Sequence, residues 1–371
     1  METYAQSIED NLIDGLTFKL DPTANYIVER QSVSYYTQGA NIYQSGSGSR
    51  VIRFSLSGNG QYLDPSTVRL VFTLKNEGLD NEILYPLGGP WSFFRRIRCL
   101  TGAGAVLEDI DYANRIHEMM HILTSTANRQ NDAVESFGAF WDSDIAFGTT
   151  TSQIAAHGQK TVSFKPLFGI FNQPKYLPLQ FMPLTLEFEL VTNATDAIAT
   201  EAGAGTFRAA VTSQAWSISD CQIKADIVQL DTGLHNEYCK HLMGGNAIPI
   251  NYSSYITQLQ TTGNGDIAVN ISRSCTRLKT LFINLDKTNT VDGASPYTSI
   301  VKPWNHFWHP MQMGDYDYTK ELAIQIIIGN KTYPIMPIRS GAEAYYQLKK
   351  SLGIHGSAWH SISIDSLQIH G

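Results

Sequence analysis

The stretch Gly88-Gly89-Pro90-Trp91-Ser92-Phe93-Phe94-Arg95-Arg96-Ile97-Arg98-Cys99-Leu100, continuing through Thr101-Gly102-Ala103-Gly104-Ala105 to Leu123, decides how the chain is read. Pro90 fits the first turn of a helix, because its missing N–H would be unpaired there anyway. Trp91, Phe94, Ile97 and Arg98 follow at helical spacing and predict a first short helix. Gly102 and Gly104 break the pattern, and Val106, Leu107 and Ile110 add a short apolar rung. Asp111 is the predicted N-cap of a second helix that carries Tyr112, Ile116, Met119, Met120 and Leu123 on one face. Nearly everything on either side reads as strand. The helical stretch is therefore an excursion from a sheet framework.

Working outward toward the N-terminus, Val68, Leu70, Phe72 and Leu74 alternate strictly, as a half-buried strand does. Before them come strand patterns at Tyr26-Ile27-Val28, Val33 to Tyr36, Ile42-Tyr43 and Val51 to Leu56, punctuated by Ser/Gly turns. Ile8, Leu12 and Leu16 at successive i+4 steps, with Glu9, Asp10 and Asp14 between them, predict a short amphipathic helix ending near Gly15. So brief a helix must dock on something. In the other direction, Thr124 to Gly158 reads as an insertion loop with a short helix around Ala133 to Phe137. Strands resume at Val162 to Phe164 and at Leu184, Leu186, Phe188 and Leu190. Asn193 to Gln214 reads as an exposed hairpin tip, Trp216 to Leu230 as strand, and Leu234 to Met243 as a connecting helix closed by Gly244-Gly245.

The second half repeats this outline. Ile248 and Ile250 open it, Ile267, Val269 and Ile271 alternate, and Leu278 to Leu285 predicts a core strand. Leu322 to Ile328 and Thr332 to Ile335 flank Gly329-Asn330 as a hairpin. Ser340 to Leu348 predicts a helix with Ser340 as cap, Glu343 at the capping-box position and Tyr346 on the apolar face. Two β units with inserted helices make the chain all-β and suggest two tandem jelly rolls. The boundaries are an N-terminal arm at 1–24, a first jelly roll at 25–232, a connecting helix at 233–245 and a second jelly roll at 246–371.

Composition narrows the function. The 371 residues are 43% hydrophobic, ample for packed cores, and the net charge of −7 offers no basic field to hold nucleic acid by counterion release. No apolar run approaches the ~20 residues of a membrane helix, and the N-terminus lacks a signal-peptide pattern. Cys99, Cys221, Cys239 and Cys275 lie far apart without metal-ligand spacing, as expected of buried, reduced thiols in a protein assembled inside a cell.

With these elements in order, the chain resembles the double jelly-roll major capsid proteins. Asp226-Ile227-Val228-Gln229-Leu230-Asp231 before a helix looks like the end of the first roll. Leu177-Pro178-Leu179 leading into Leu184 to Leu190 fits its penultimate strand. Ser272-Arg273-Ser274-Cys275-Thr276-Arg277-Leu278-Lys279, running into Thr280 to Ile283 and Asp286-Lys287, is similar to the Arg-Leu-Lys strand motif of the adintovirus and Polinton-type members, relatives of virophage and large DNA virus capsid proteins. The resemblance implies a virion protein without enzymatic activity or cofactor. It would form homotrimeric pseudo-hexagonal capsomers, contact neighbouring capsomers, penton and minor capsid proteins, and tile an icosahedral shell. Whether it touches a membrane is left open. The second unit is short for the eight strands of a jelly roll. Its alternation continues through Ile362 to Ile369, so the sequence is expected to be incomplete at its C-terminal end, or completed by strands from elsewhere.

Chemistry is weighed against this. His117-Glu118-Met119-Met120-His121 matches the His-Glu-x-x-His pattern, which places two histidines on one helix face with a carboxylate as base. No third ligand follows at a recognised spacing, so the expectation is a structural helix. His306 and His309, with Asp315 and Asp317 behind, sit in a Trp- and Pro-rich loop without strand-type ligand spacing. Glu108, Asp109 and Asp111 read as a cap cluster, and Glu187 and Glu189 as one solvent face of a strand. Arg95, Arg96 and Arg98 read as a solvated or carboxylate-paired face, with contact to a neighbouring capsomer as the alternative. The candidate assembly residues are thus Ile8, Leu12, Leu16, Arg95, Arg96 and Arg98. The competing function is a secreted β-sandwich that binds or hydrolyses carbohydrate through a platform of Trp304, Phe307 and Trp308.

Overall fold

The alternating stretches that flank Gly88 pair into two facing sheets. The computed structural model describes residues 26–45, 49–124, 134–137, 154–198, 211–262, 267–273, 275, 277–284 and 323–353. Its strands are β1 (Ile27–Tyr36), β2 (Ile42–Tyr43), β3 (Val51–Leu56), β4 (Tyr62–Asn76), β5 (Glu82–Ile83), β6 (Phe94–Thr101) and β7 (Val106–Ile110). They continue with β8 (Gln159–Phe164), β9 (Leu177–Pro178), β10 (Leu184–Leu190), β11 (Val211–Thr212), β12 (Trp216–Leu230), β13 (Ile324–Ile328) and β14 (Lys331–Ile338). The helices are α1 (Ala113–Ile122), α2 (Thr232–Met243) and α3 (Gly341–Leu352). The chain is mostly β with short helices between strands, as its alternation predicts.

One sheet runs β1-β12-β4-β8 and the other β3-β10-β6-β7. Counting only these long strands along the chain, the first sheet takes the first, eighth, third and sixth, and the second takes the second, seventh, fourth and fifth. This is the double Greek key of a complete jelly roll. The inward positions of the alternating strands fill the space between the sheets. Phe72 meets Phe94 edge-on at 5.4 Å between ring centroids, and Phe54 meets Phe188 at 5.9 Å. Leu70, Phe72, Leu74, Leu184, Leu186 and Phe188 are wholly buried.

The predicted helix after Pro90 is a correction. Pro90–Phe93 forms a single 3-10 turn, and from Phe94 the chain is strand β6. The helical spacing of Phe94 and Ile97 has a different cause. A β-bulge at Arg95 breaks the register with β10, where Leu190 pairs with Phe94 and Glu189 with Arg96. The extra residue lets two aromatic and aliphatic side chains three apart both point inward. The apolar rung is strand β7, not helix. The second helix forms, but its N-cap is Tyr112 in the left-handed region at φ 51°. Asp111 is occupied by the Arg95 guanidinium at 3.2 Å instead of capping the helix.

Asn193 to Gln214 is not an exposed hairpin tip in its described parts, since Ala197, Ile198 and Ser213 are buried and β11 pairs in parallel with β5, whereas three other predicted elements form. α2 is capped by Asp231, whose carboxylate accepts from Gly233 N at 2.9 Å. β13 and β14 form the hairpin across Gly329-Asn330. Ser340 caps α3 by accepting from Glu343 N, while the Glu343 carboxylate accepts from Arg339 N, a close relative of the predicted capping box. Tyr346 is exposed rather than on a buried face. The strands predicted around Ile248, at Ile267 to Ile271 and from Leu278 to Ile283 have no ladder among the described residues. Ile267, Val269, Ile271, Leu278 and Ile283 are all substantially exposed. Alternation marks the face a strand would bury, but a strand forms only with a pairing partner. The arm at 1–24, most of the insertion at 124–158, and the Trp304 loop lie outside the described residues.

Candidate functional site

The outer face of the β3-β10-β6-β7 sheet carries the predicted arginines. Strand register sets Arg53, Glu187, Arg98 and Asp109 side by side across all four strands. Arg53 Nε donates to Glu187 Oε1 at 2.8 Å. Arg98 Nη2 lies 2.6 Å from Glu187 Oε2 and forms an ion pair with it. Arg96 Nε donates to Asp109 Oδ1 at 2.7 Å, and Arg96 beside it holds the Asp109 carboxyl below its usual range. Arg95, re-aimed by the bulge, pairs with Asp111 and lies over the Tyr112 ring. The three arginines are therefore each matched to a carboxylate across the sheet. Glu187 is a correction to the solvent-face reading: its side chain is only 6% exposed beneath Arg53 and Arg98. Ile8, Leu12 and Leu16 lie outside the described residues.

The His-Glu-x-x-His helix is built into the core. The His117 ring stacks flat on the Trp91 indole, with centroids 4.0 Å apart and planes 2° from parallel. His121 meets the same indole edge-on at 4.7 Å. Glu118, buried, accepts from Trp91 Nε1 at 2.7 Å. Burial, then the nearby His121, pushes the His117 imidazolium down to a pKa of about 3. The pattern therefore seats a tryptophan, and all three motif residues are spent on it. Among the described residues no group of three His, Cys, Asp or Glu is placed to hold a metal. His306, His309, Asp315 and Asp317 lie outside them.

Glu108 is the polar group that the cap-cluster reading missed. Its buried carboxylate accepts from Gly169 N at 2.9 Å, Ile170 N at 2.8 Å and Ser254 Oγ at 2.6 Å. Tyr252 OH adds a bond to Leu107 O at 3.3 Å, and Lys175 Nζ donates to Pro249 O at 2.9 Å. Gly169 packs so closely on the Ser253 carbonyl that a Cβ there would collide with it. The chain beyond α2 is thus fastened to the jelly roll around the buried Glu108 carboxylate, with the Tyr252 and Lys175 hydrogen bonds beside it. Desolvation raises the Glu108 pKa, with the three hydrogen bonds pulling the other way. The sequence did hold a signal. Once Val106 to Ile110 is read as strand, Glu108 shares the inward parity of Ile110.

No protein-family model and no curated protein matches the chain. Among solved structures it is similar to a cryo-EM structure of the Sputnik virophage, at TM-score 0.39 and 10% identity over 62% of this chain and 53% of that one. It is also similar to the mavirus major capsid protein, at TM-score 0.32 and 13% identity over 62% and 52%. A third is VP54 of PBCV-1, fitted into a reconstruction of Sputnik, at TM-score 0.37 and 17% identity over 60% and 48%. The chain spans about half the length of these structures.

Proposed function

We propose that this chain is a major capsid protein whose activity is self-assembly. The observation that carries the reading is the complete jelly roll between Ile27 and Leu230, with its strands in double Greek-key order, followed directly by helix α2 and further on by the β13–β14 hairpin. In this reading 1–24 is an arm, 233–245 joins the rolls, and 246–371 belongs to a second roll of the adintovirus and Polinton type. Three subunits build a pseudo-hexagonal capsomer, and capsomers, with penton and minor proteins, tile an icosahedral virion assembled in the host cell. No catalysis and no cofactor enter this activity. Ile8, Leu12 and Leu16 on the arm, and Arg95, Arg96 and Arg98 on the charged sheet face, contribute contacts between subunits. Interfaces of such obligate assemblies bury more than ~2,000 Å². Size-exclusion chromatography with light scattering, followed by electron microscopy, tests this. Trimers with a pseudo-hexagonal outline support it, and a monomer at every concentration overturns it. The carbohydrate-binding alternative rested on Trp304, Phe307 and Trp308, which lie outside the described residues.

A further inference from the structure

Helix α2 carries a cysteine and a histidine one turn apart on the side that packs on β4. Cys239 Sγ lies 3.5 Å from His235 Nε2. The other ring nitrogen, Nδ1, lies 3.2 Å from Tyr62 OH, and the Tyr62 ring meets the His235 ring edge-on. Burial pushes the Tyr62 hydroxyl up to about 12, so it stays a neutral partner that can accept from Nδ1–H. Tyr238 closes the other side of Tyr62 at 5.5 Å. A thiol, a base in hydrogen-bond reach of it and a third group orienting the base are the parts of an activated nucleophile. Cys239 is half-buried, whereas Cys99 and Cys221 are buried, with their thiols pushed up to about 12.

We infer that Cys239, with His235 as its base, is a thiol-exchange site for low-molecular-weight disulfides. His235 Nε2 takes the S–H proton, and the thiolate attacks one sulfur of the disulfide. That S–S bond breaks as the new one to Cys239 forms, and the departing thiolate takes the proton back from His235. Cys239 stands in the C-terminal half of α2, where the helix dipole opposes an anion. Lys240 beside it is held by Glu237 at 2.6 Å. The activation therefore depends on His235. Cys275, exposed, supplies an internal reference thiol.

The test treats the full chain with oxidised glutathione at neutral pH and reads each cysteine by peptide mass spectrometry. Cys239 is expected to form the mixed disulfide about tenfold faster than Cys275. His235→Asn is expected to bring it down to the Cys275 rate while Cys99 and Cys221 stay unreacted, which reports an intact fold. Equal or slower reaction of wild-type Cys239 overturns the proposal without any variant. An unchanged Cys239 rate in folded His235→Asn overturns it too. If Cys99 and Cys221 react in that variant, Tyr62→Phe replaces it, and a Cys239 rate unchanged there overturns the proposal.

Discussion

Trp91 and His117 lie face to face, their ring planes 2° from parallel, and this stack keeps a histidine neutral inside the jelly roll. The folded imidazole titrates near pH 3 because burial opposes its charge, against about 6.5 in an unfolded chain. The unfolded state therefore binds more protons between these values. The stability from this group is full above pH ~6.5 and is lost as pH falls toward 3. Because His117 as a residue is only half-buried, the expected loss is roughly 2–4 kcal/mol. Denaturant titrations at pH 7 and pH 4 should show it, and His117→Phe, which keeps an aromatic stack, should flatten the difference. An unchanged pH dependence in that variant would refute the assignment.

Gly88 sits at φ +65° with its α-carbon against the Glu118 carboxylate, where any Cβ would collide. Gly88→Ala adds left-handed strain and pushes Glu118 off the Trp91 indole N–H. The expected cost is roughly 1–3 kcal/mol. Thermal unfolding measures it, and Trp91 fluorescence should shift in the same variant. A neutral substitution would mean that the loop relaxes freely.

Glu108 fastens the chain after α2 to the first roll. Glu108→Ala leaves the Gly169 and Ile170 N–H groups without their acceptor, at a cost of roughly 2–4 kcal/mol, and Glu108→Gln, which keeps one carbonyl oxygen, costs less. Amide exchange should rise at residues 250–255 while the buried strands β4 and β10 stay protected. Burial raises the docked pKa, so this group's contribution to docking is full below the ordinary carboxylate range and is lost as pH rises from that range through the docked value. Uniform loss of protection across the roll would contradict a local fastening.

Glu187 lies under two arginines that are themselves about one-third to one-half exposed. Glu187→Gln should therefore cost roughly 1–2 kcal/mol, less than breaking a fully buried pair, because water reaches Arg53 and Arg98. The double variant Glu187→Gln, Arg98→Met should recover part of that loss. A cycle that shows no coupling between the two positions would place the ion pair among the ineffective ones.

The jelly roll was legible where alternation was uninterrupted. Leu184 to Leu190 and Val68 to Leu74 alternate cleanly, and each is a central strand. The region around Arg95 was misread because a bulge makes a strand imitate a helix over four residues, and no local propensity separates the two. Glu108 and Glu187 were misplaced for a related reason. A carboxylate is assigned to solvent by its charge, and only the register reveals the donors that let it be buried. The His-Glu-x-x-His pattern was legible as a helix face, but that the face is filled by Trp91 is a tertiary fact with no sequence period.

The arm predicted at the N-terminus gives the most direct test of assembly. At their i+4 spacing, Ile8, Leu12 and Leu16 would form a stripe one residue wide, too narrow for a core of its own and too short to persist as an isolated helix. The flanking Glu9, Asp10 and Asp14 disfavour an anionic membrane, which attracts Lys and Arg instead. Under the proposed function the remaining partner is protein, either the base of its own capsomer or a neighbouring one. Burying the three side chains is worth roughly 1.5–3 kcal/mol each before ordering costs, and repetition around a shell multiplies the effect. Deleting residues 2–16 should therefore leave soluble trimers by light scattering yet sharply lower the yield of closed shells by electron microscopy. Shells at normal yield would show the stripe to be dispensable, whereas loss of the trimer itself would move its contact from between capsomers to within one.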